Sequence, residues 1–195
     1  MESSHSPKER ILCRSAALFH TQGFRATSLQ QLLDSAKVTK GTLYHHFSGK
    51  DALGLAVLDR AKSDFLATLD DVFANRSPGQ GLAAFLDLVL KMHRGKGFVG
   101  GCLFGNTALE MSDADSRYAE SVEQLFRMWV GRFETVIQAA QEQGELREDI
   151  SPRNLAVMMV ATIEGGIMLA RLQKKEGPLK ACLDGLKTFL GLNTK

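Results

Sequence analysis

An all-α fold is what the sequence predicts, on three observations. Apolar residues recur three and four apart along most of the 195 residues, no segment sustains the every-second-residue alternation of a strand, and Gly, Pro, Ser and Asp punctuate the gaps. About nine helices are expected, an N-terminal three-helix group followed by a larger helical region.

The first helix is expected over 7–22. Ser6 offers an N-cap hydroxyl, Pro7 suits the first helical position and Glu9 completes a capping box; Ile11, Leu12, Ser15, Ala16, Leu18 and Phe19 then keep helical spacing until Gly23. Thr27 or Ser28 caps a second helix, 28–36, because Gln30 and Gln31 stand three residues beyond them and Leu29, Leu32, Leu33 and Ala36 make one apolar face. A turn at Lys37-Val38 leads to Thr39, the cap of a third helix, 39–47. Ser48-Gly49-Lys50-Asp51 opens a long fourth helix through Ala52, Leu55, Leu58, Phe65 and Leu69. Beyond Asn75-Arg76-Ser77-Pro78-Gly79, helices are expected around 80–93, 103–112, 115–143, 152–173 and 178–191.

Composition excludes several classes. With 44% apolar and 24% charged residues, 18 Gly and 4 Pro, the chain is neither disordered nor fibrous. A net charge of +2 gives no bulk attraction for a polyanion, yet residues 1–60 hold eight Lys/Arg against five Asp/Glu and four of the five histidines. Cys13, Cys102 and Cys182 are too scattered for a disulfide scaffold or a cysteine-rich metal site, so a reducing cytoplasm is expected. The N-terminus lacks the apolar core of a signal peptide. The most apolar stretch, 155–170, contains Glu164 and falls short of the roughly 20 residues that span a bilayer, so it reads as a buried helix and no membrane partner is expected. No G-x-S-x-G, P-loop, dinucleotide fingerprint or H-E-x-x-H occurs, and neither enzyme activity, cofactor nor metal is expected.

Helices 28–36 and 39–47, joined by a short turn, form a helix-turn-helix, whose second helix can enter a major groove. Thr39, Thr42, Tyr44, His45 and His46 offer hydroxyl and imidazole groups for phosphates or base edges, Lys40 and Lys50 add charge, and Gly41 lets the backbone approach a duplex. Leu43 and Phe47 pack inward. Tyr44 is either a phosphate contact or a core aromatic, and the adjacent His45 and His46 cannot both face the same way. Double-stranded DNA is the partner this surface implies, an operator if the chain is the regulator that the resemblance given below implies.

The larger region can be read as core, as pocket lining or as interface. Leu86, Val89, His93, Cys102, Phe104, Asn106, Thr107, Glu110, Phe126, Trp129, Phe133, Met158, Met159 and Thr162 mix large apolar groups with a few polar ones, the composition of a small-molecule pocket and equally of a helical core. Two apolar helices per subunit can pair about a two-fold axis as a four-helix bundle. Leu155, Gly166 and Leu169 from the first, with Leu179, Cys182, Leu183, Leu186, Phe189 and Leu190 from the second, are the expected homodimer residues. Cys102 follows two glycines near a helix start, where a helix dipole favours thiolate; it is either a reactive thiol or a small apolar closure.

From Thr39 to Leu53, through Gly41, Leu43-Tyr44, His46-Phe47 and Lys50-Asp51-Ala52-Leu53, and back to Gly23-Phe24 and Thr27, the sequence resembles the TetR family of bacterial transcriptional regulators. That resemblance implies a DNA-binding domain over 1–52, a ligand-binding and dimerisation domain over 53–195, homodimerisation and usually repression relieved by an unidentified inducer. It places DNA contacts on Thr27 or Ser28, Thr39, Lys40, Thr42, Tyr44, His45, His46 and Lys50. Where the family usually has Gly in the turn, this chain has Lys37, which would cost about 1 kcal/mol if left-handed. The segment from Gly100 to Asp113 is similar to one in a branch that answers electrophiles or oxidants. Alternatives left open are an enzyme or carrier with a helix-turn-helix module, using His93 and Glu110, and a ligand-independent activator.

Overall fold

In the computed structural model, residues 6–192 are described; residues 1–5 and 193–195, at the outer ends of the two expected domains, lie outside the described residues. Among the described residues there are nine α-helices and no strand: α1 Pro7–Gln22, α2 Leu29–Ala36, α3 Lys40–His46, α4 Lys50–Phe73, α5 Pro78–Gly95, α6 Leu103–Met111, α7 Ser116–Glu142, α8 Pro152–Gln173 and α9 Gly177–Leu190.

Caps explain most of these boundaries. Ser28 accepts the Gln31 amide at 3.2 Å while Gln31 Oε1 accepts the Ser28 amide at 2.7 Å, a complete capping box. The box expected at α1 is only half made: Ser6 accepts from the Glu9 amide, but the Glu9 carboxylate accepts from Arg60 at 2.8 Å. Helix α5 starts earlier than expected, because Ser77 and Gln80 form a capping box around Pro78, the same Ser-Pro signal that begins α1. Lys37, past the end of α2, is left-handed at φ 53°, and its amide donates to Asp34 and Leu33 carbonyls. The strain anticipated from the missing glycine is therefore present.

The chain divides into two compact units. The first comprises residues up to 63 together with 102–123, so α6 and the start of α7 join α1–α3 and the first half of α4. It extends beyond the expected 1–52, and Phe104, Met111 and Tyr118 from its second stretch of chain are buried. Ile11, Leu32, Leu43 and Leu53 lie in its core. Arg10 on α1 donates through Nε to the carbonyl of Ala36 at 3.0 Å, supplying a donor at the end of α2 where helical carbonyls lack partners.

The second unit comprises 64–101 and 124 onward. Phe65, Phe85, Phe126, Trp129 and Phe133 meet there at ring-centroid separations of 5.0–6.4 Å. Helices α8 and α9 pack tightly on each other. Gly166 allows it, since a Cβ there would lie 3.0 Å from Cys182 Cβ and 3.1 Å from a Leu179 methyl. Helix α8 is long and apolar enough to cross a membrane by length and composition, but Leu155, Met159, Ile163 and Ile167 form one face buried within the unit.

Candidate functional site

Helix α3 and its surroundings hold the residues expected to touch DNA. The Thr39 hydroxyl accepts the Thr42 amide at 3.1 Å and lies 2.9 Å from the Thr42 hydroxyl, so both threonines order the first turn. Leu43 and Phe47 are buried, which anchors one side of the helix and turns the other outward. On that outer side Lys40, Gly41, Tyr44 and His45 are exposed, with Lys40 Nζ 5.8 Å from the centre of the Tyr44 ring. Tyr44 keeps 47% of its surface, so it is not a core aromatic. Of the two histidines, His45 is exposed and His46 half-buried, with its ring 6.4 Å from Phe47. A Cβ at Gly41 would meet only Thr39 Oγ1 at 3.8 Å, so nothing within this chain requires glycine there.

Two of the expected contacts are turned elsewhere. Thr27 is 0% exposed and donates its hydroxyl to the carbonyl of Gly23 at 2.6 Å, a fold contact that cannot also reach a duplex. Lys50 Nζ lies 4.5 Å over the Phe24 ring and donates to the Arg25 carbonyl at 3.4 Å. Partial burial holds its ammonium below the ordinary lysine range, with Asp51 and Glu110 pulling the other way. Ser28 is exposed, although its hydroxyl already caps α2.

Sequence reasoning missed what holds this head in place. Glu110 on α6, expected in a ligand pocket, accepts the backbone amides of Phe24 at 2.9 Å and Arg25 at 2.6 Å, at the bend between α1 and α2. Gly23 turns that bend at φ 91°, and a side chain there would meet the Glu110 carboxylate at 2.9 Å. Asn106, one helical turn earlier, donates to the His20 carbonyl at 3.5 Å. Tyr118 on α7 lies across Gly54, where a Cβ would sit 2.1 Å from its hydroxyl, and donates to the Asp51 carbonyl at 3.3 Å; burial pushes its phenol well above the usual range. A small cavity remains between Phe19, Phe24, Gly54, Thr107 and Tyr118.

The expected pocket residues are divided between the two units. Cys102, Phe104, Asn106, Thr107 and Glu110 belong to the first unit, whereas Leu86, Val89, His93, Phe126, Trp129, Phe133, Met158, Met159 and Thr162 belong to the second. Cys102 is the N-cap of α6, half-buried, its Sγ accepting the Gly105 amide at 3.5 Å. Trp129 and Phe133 are central to the aromatic group, and Leu86 and Met159 are fully buried. With Glu110 held by Phe24 and Arg25, the pairing of His93 with Glu110 as an acid–base couple has no support.

The residues expected at a dimer interface divide by burial. Leu155, Gly166, Leu179, Leu183, Leu186 and Leu190 are buried within one subunit, because α8 and α9 cover each other first, and Cys182 lies against Gly166 between them. Of the expected interface residues, Leu169 and Phe189 remain exposed, joined by Val157, Met168 and Leu172, which periodicity alone did not separate.

A capped short helix with a buried seam and an exposed polar face, following a second short capped helix, defines a helix-turn-helix protein. Comparison with known proteins narrows this. Residues 11–57 match the family model described as bacterial regulatory proteins, tetR family, and residues 78–186 match the tetracyclin repressor-like C-terminal domain. The HTH-type transcriptional repressor DhaR of Mycobacterium sp. (strain GP1) is 27% identical over 88% of this chain and 86% of its own. The transcriptional regulator AcuR of Cereibacter sphaeroides is 30% identical over 81% of this chain and 73% of its own. Among solved structures, a regulatory protein TetR from Rhodobacter sphaeroides superposes with a TM-score of 0.88 at 26% identity, covering 93% of this chain and 97% of that one. The chain belongs to the TetR family of transcriptional regulators, which are not enzymes.

Proposed function

We propose that this protein is a homodimeric repressor in the bacterial cytoplasm that binds a pseudo-palindromic operator and is released by a small-molecule inducer or by modification of Cys102. The observation that carries the reading is the outer face of α3, where Lys40, Gly41, Tyr44 and His45 are exposed together. Lys40 neutralises phosphate charge, Tyr44 and His45 reach phosphate oxygens or base edges, and the bare Gly41 lets the backbone come close. The name of DhaR, a repressor, favours repression over activation.

A single helix of this length reads too few bases to be selective, and two copies are needed roughly 34 Å apart to enter successive major grooves. Support for pairing comes from α8 and α9. Val157, Ala161, Gly165, Met168, Leu169 and Leu172 recur at helical spacing on the exposed side of α8, and Ala181, Gly185 and Phe189 on that of α9. An apolar stripe of this kind is covered in a stable protein, and a second copy presents the matching surface.

Release requires a ligand that prefers a state in which the two heads no longer fit the operator. Moving the balance from 1:99 to 99:1 needs about 10⁴-fold preference, or about 5.5 kcal/mol. The aromatic group of the second unit is an apolar lining suited to such a ligand. For the thiol route, an amide donating to Sγ at a helix start favours thiolate, and an added group on sulfur would remove the cap of α6, the helix that carries Glu110 and Asn106.

The test is fluorescence anisotropy on the duplex upstream of the protein's own gene, across salt concentrations, with and without thiol alkylation. Tyr44→Ala should weaken binding by about tenfold or more, with dimer mass and helical circular dichroism unchanged; undiminished affinity would remove α3 from the interface. Loss of binding on alkylation that Cys102→Ser prevents would establish the thiol route, and binding that survives alkylation leaves the reversible ligand as the releasing agent.

A further inference from the structure

Trp129, on α7, is only 3% exposed, and its indole Nε1 has no hydrogen-bond partner. Its ring lies edge-on to Phe65, Phe85 and Phe133 at 5.0, 6.1 and 5.9 Å and stacks on Phe126 at 5.9 Å with a 21° interplanar angle. Tryptophan in an interior almost always satisfies this donor, because its only polar group otherwise loses water for nothing. Here the four ring neighbours are phenylalanines, which contain no side-chain nitrogen or oxygen.

We infer that Trp129 Nε1 is the polar anchor of the effector site, donating to a neutral carbonyl-type oxygen on a small, largely aromatic molecule. The inference rests on the effector-released reading above and specifies the ligand's chemistry. A trapped water fits less well, since a buried water needs two to four polar partners and the rings packed on this indole are all phenylalanines. An anion also fits poorly: one neutral N–H cannot replace the hydration of a carboxylate among phenyl rings. A carbonyl carried on an aromatic body meets both demands, because its ring stacks or packs edge-on with the phenylalanines while its oxygen takes the single proton.

Trp129 is the only tryptophan in the sequence, so the ¹⁵N-labelled full-length protein gives one indole N–H resonance. The probes are acetophenone and ethylbenzene, nearly the same shape with and without the acceptor. Acetophenone should move the indole proton downfield and saturably, ethylbenzene should not, and acetophenone should release the operator duplex at about tenfold lower concentration. Trp129→Phe should erase the difference between the two probes. An indole proton that stays put, or that starts and remains upfield as expected for an N–H held over a phenyl face, would overturn the proposal even if the variant fails to fold. Operator release by acetophenone without any indole shift would overturn the anchor and leave effector release standing. A downfield shift without release would uphold the anchor and remove the release reading.

Discussion

Lys37 occupies a backbone conformation that most side chains avoid, at φ 53° and ψ 51°, and its left-handed turn joins the two helices of the DNA-binding motif. Lys37→Gly should therefore raise unfolding stability by up to about 1 kcal/mol, the relief of Cβ strain less the backbone entropy glycine adds to the unfolded chain. Urea denaturation measures it, and lower stability would mean that the lysine side chain contributes more than the strain removes. This position was legible only through the family resemblance, which puts Gly in the turn where this chain has Lys37; the fold supplies the left-handed backbone. Thr27 was not. Both Thr27 and Ser28 have a glutamine three residues on, and only the fold shows that Ser28 takes the cap while the Thr27 hydroxyl turns inward to Gly23.

Helix α6 ties the bend between α1 and α2 at two levels, through Asn106 to the His20 carbonyl and through Glu110 to the amides of Phe24 and Arg25. Two amide donors on one carboxylate make this the stronger tie. Glu110→Ala should lower stability by about 1.5–3 kcal/mol and weaken operator binding, because the start of α2 loses its fixed position. Chemical denaturation and anisotropy on the same variant test both effects, and intact DNA affinity would show that the bend is held without α6. Helix boundaries were readable from sequence to within a residue or two, since caps and periodicity are local. The tie was not, because 86 residues separate Glu110 from Phe24 and no local pattern encodes which carboxylate crosses that interval.

At the scale of the whole molecule, α8 is the instructive case: it is apolar on both faces, and periodicity cannot tell which face meets α9 and which stays exposed. The fold assigns Leu155, Met159 and Ile163 inward and leaves Leu172 78% exposed. Leu172→Glu should hence change monomer stability by no more than about 0.5 kcal/mol while shifting sedimentation to the monomer and reducing operator affinity. Leu183→Ala, by contrast, should cost about 2–5 kcal/mol of stability through a cavity in the α8–α9 core. A dimer that tolerates the glutamate would place the interface elsewhere. Because the first unit is assembled from two stretches of chain, 6–63 and 102–123, its reading head is not a cassette. A chimaera that grafts residues 1–52 onto another regulator would arrive without Glu110 and Tyr118, and would keep its fold only in a host whose own sixth and seventh helices happen to offer equivalents.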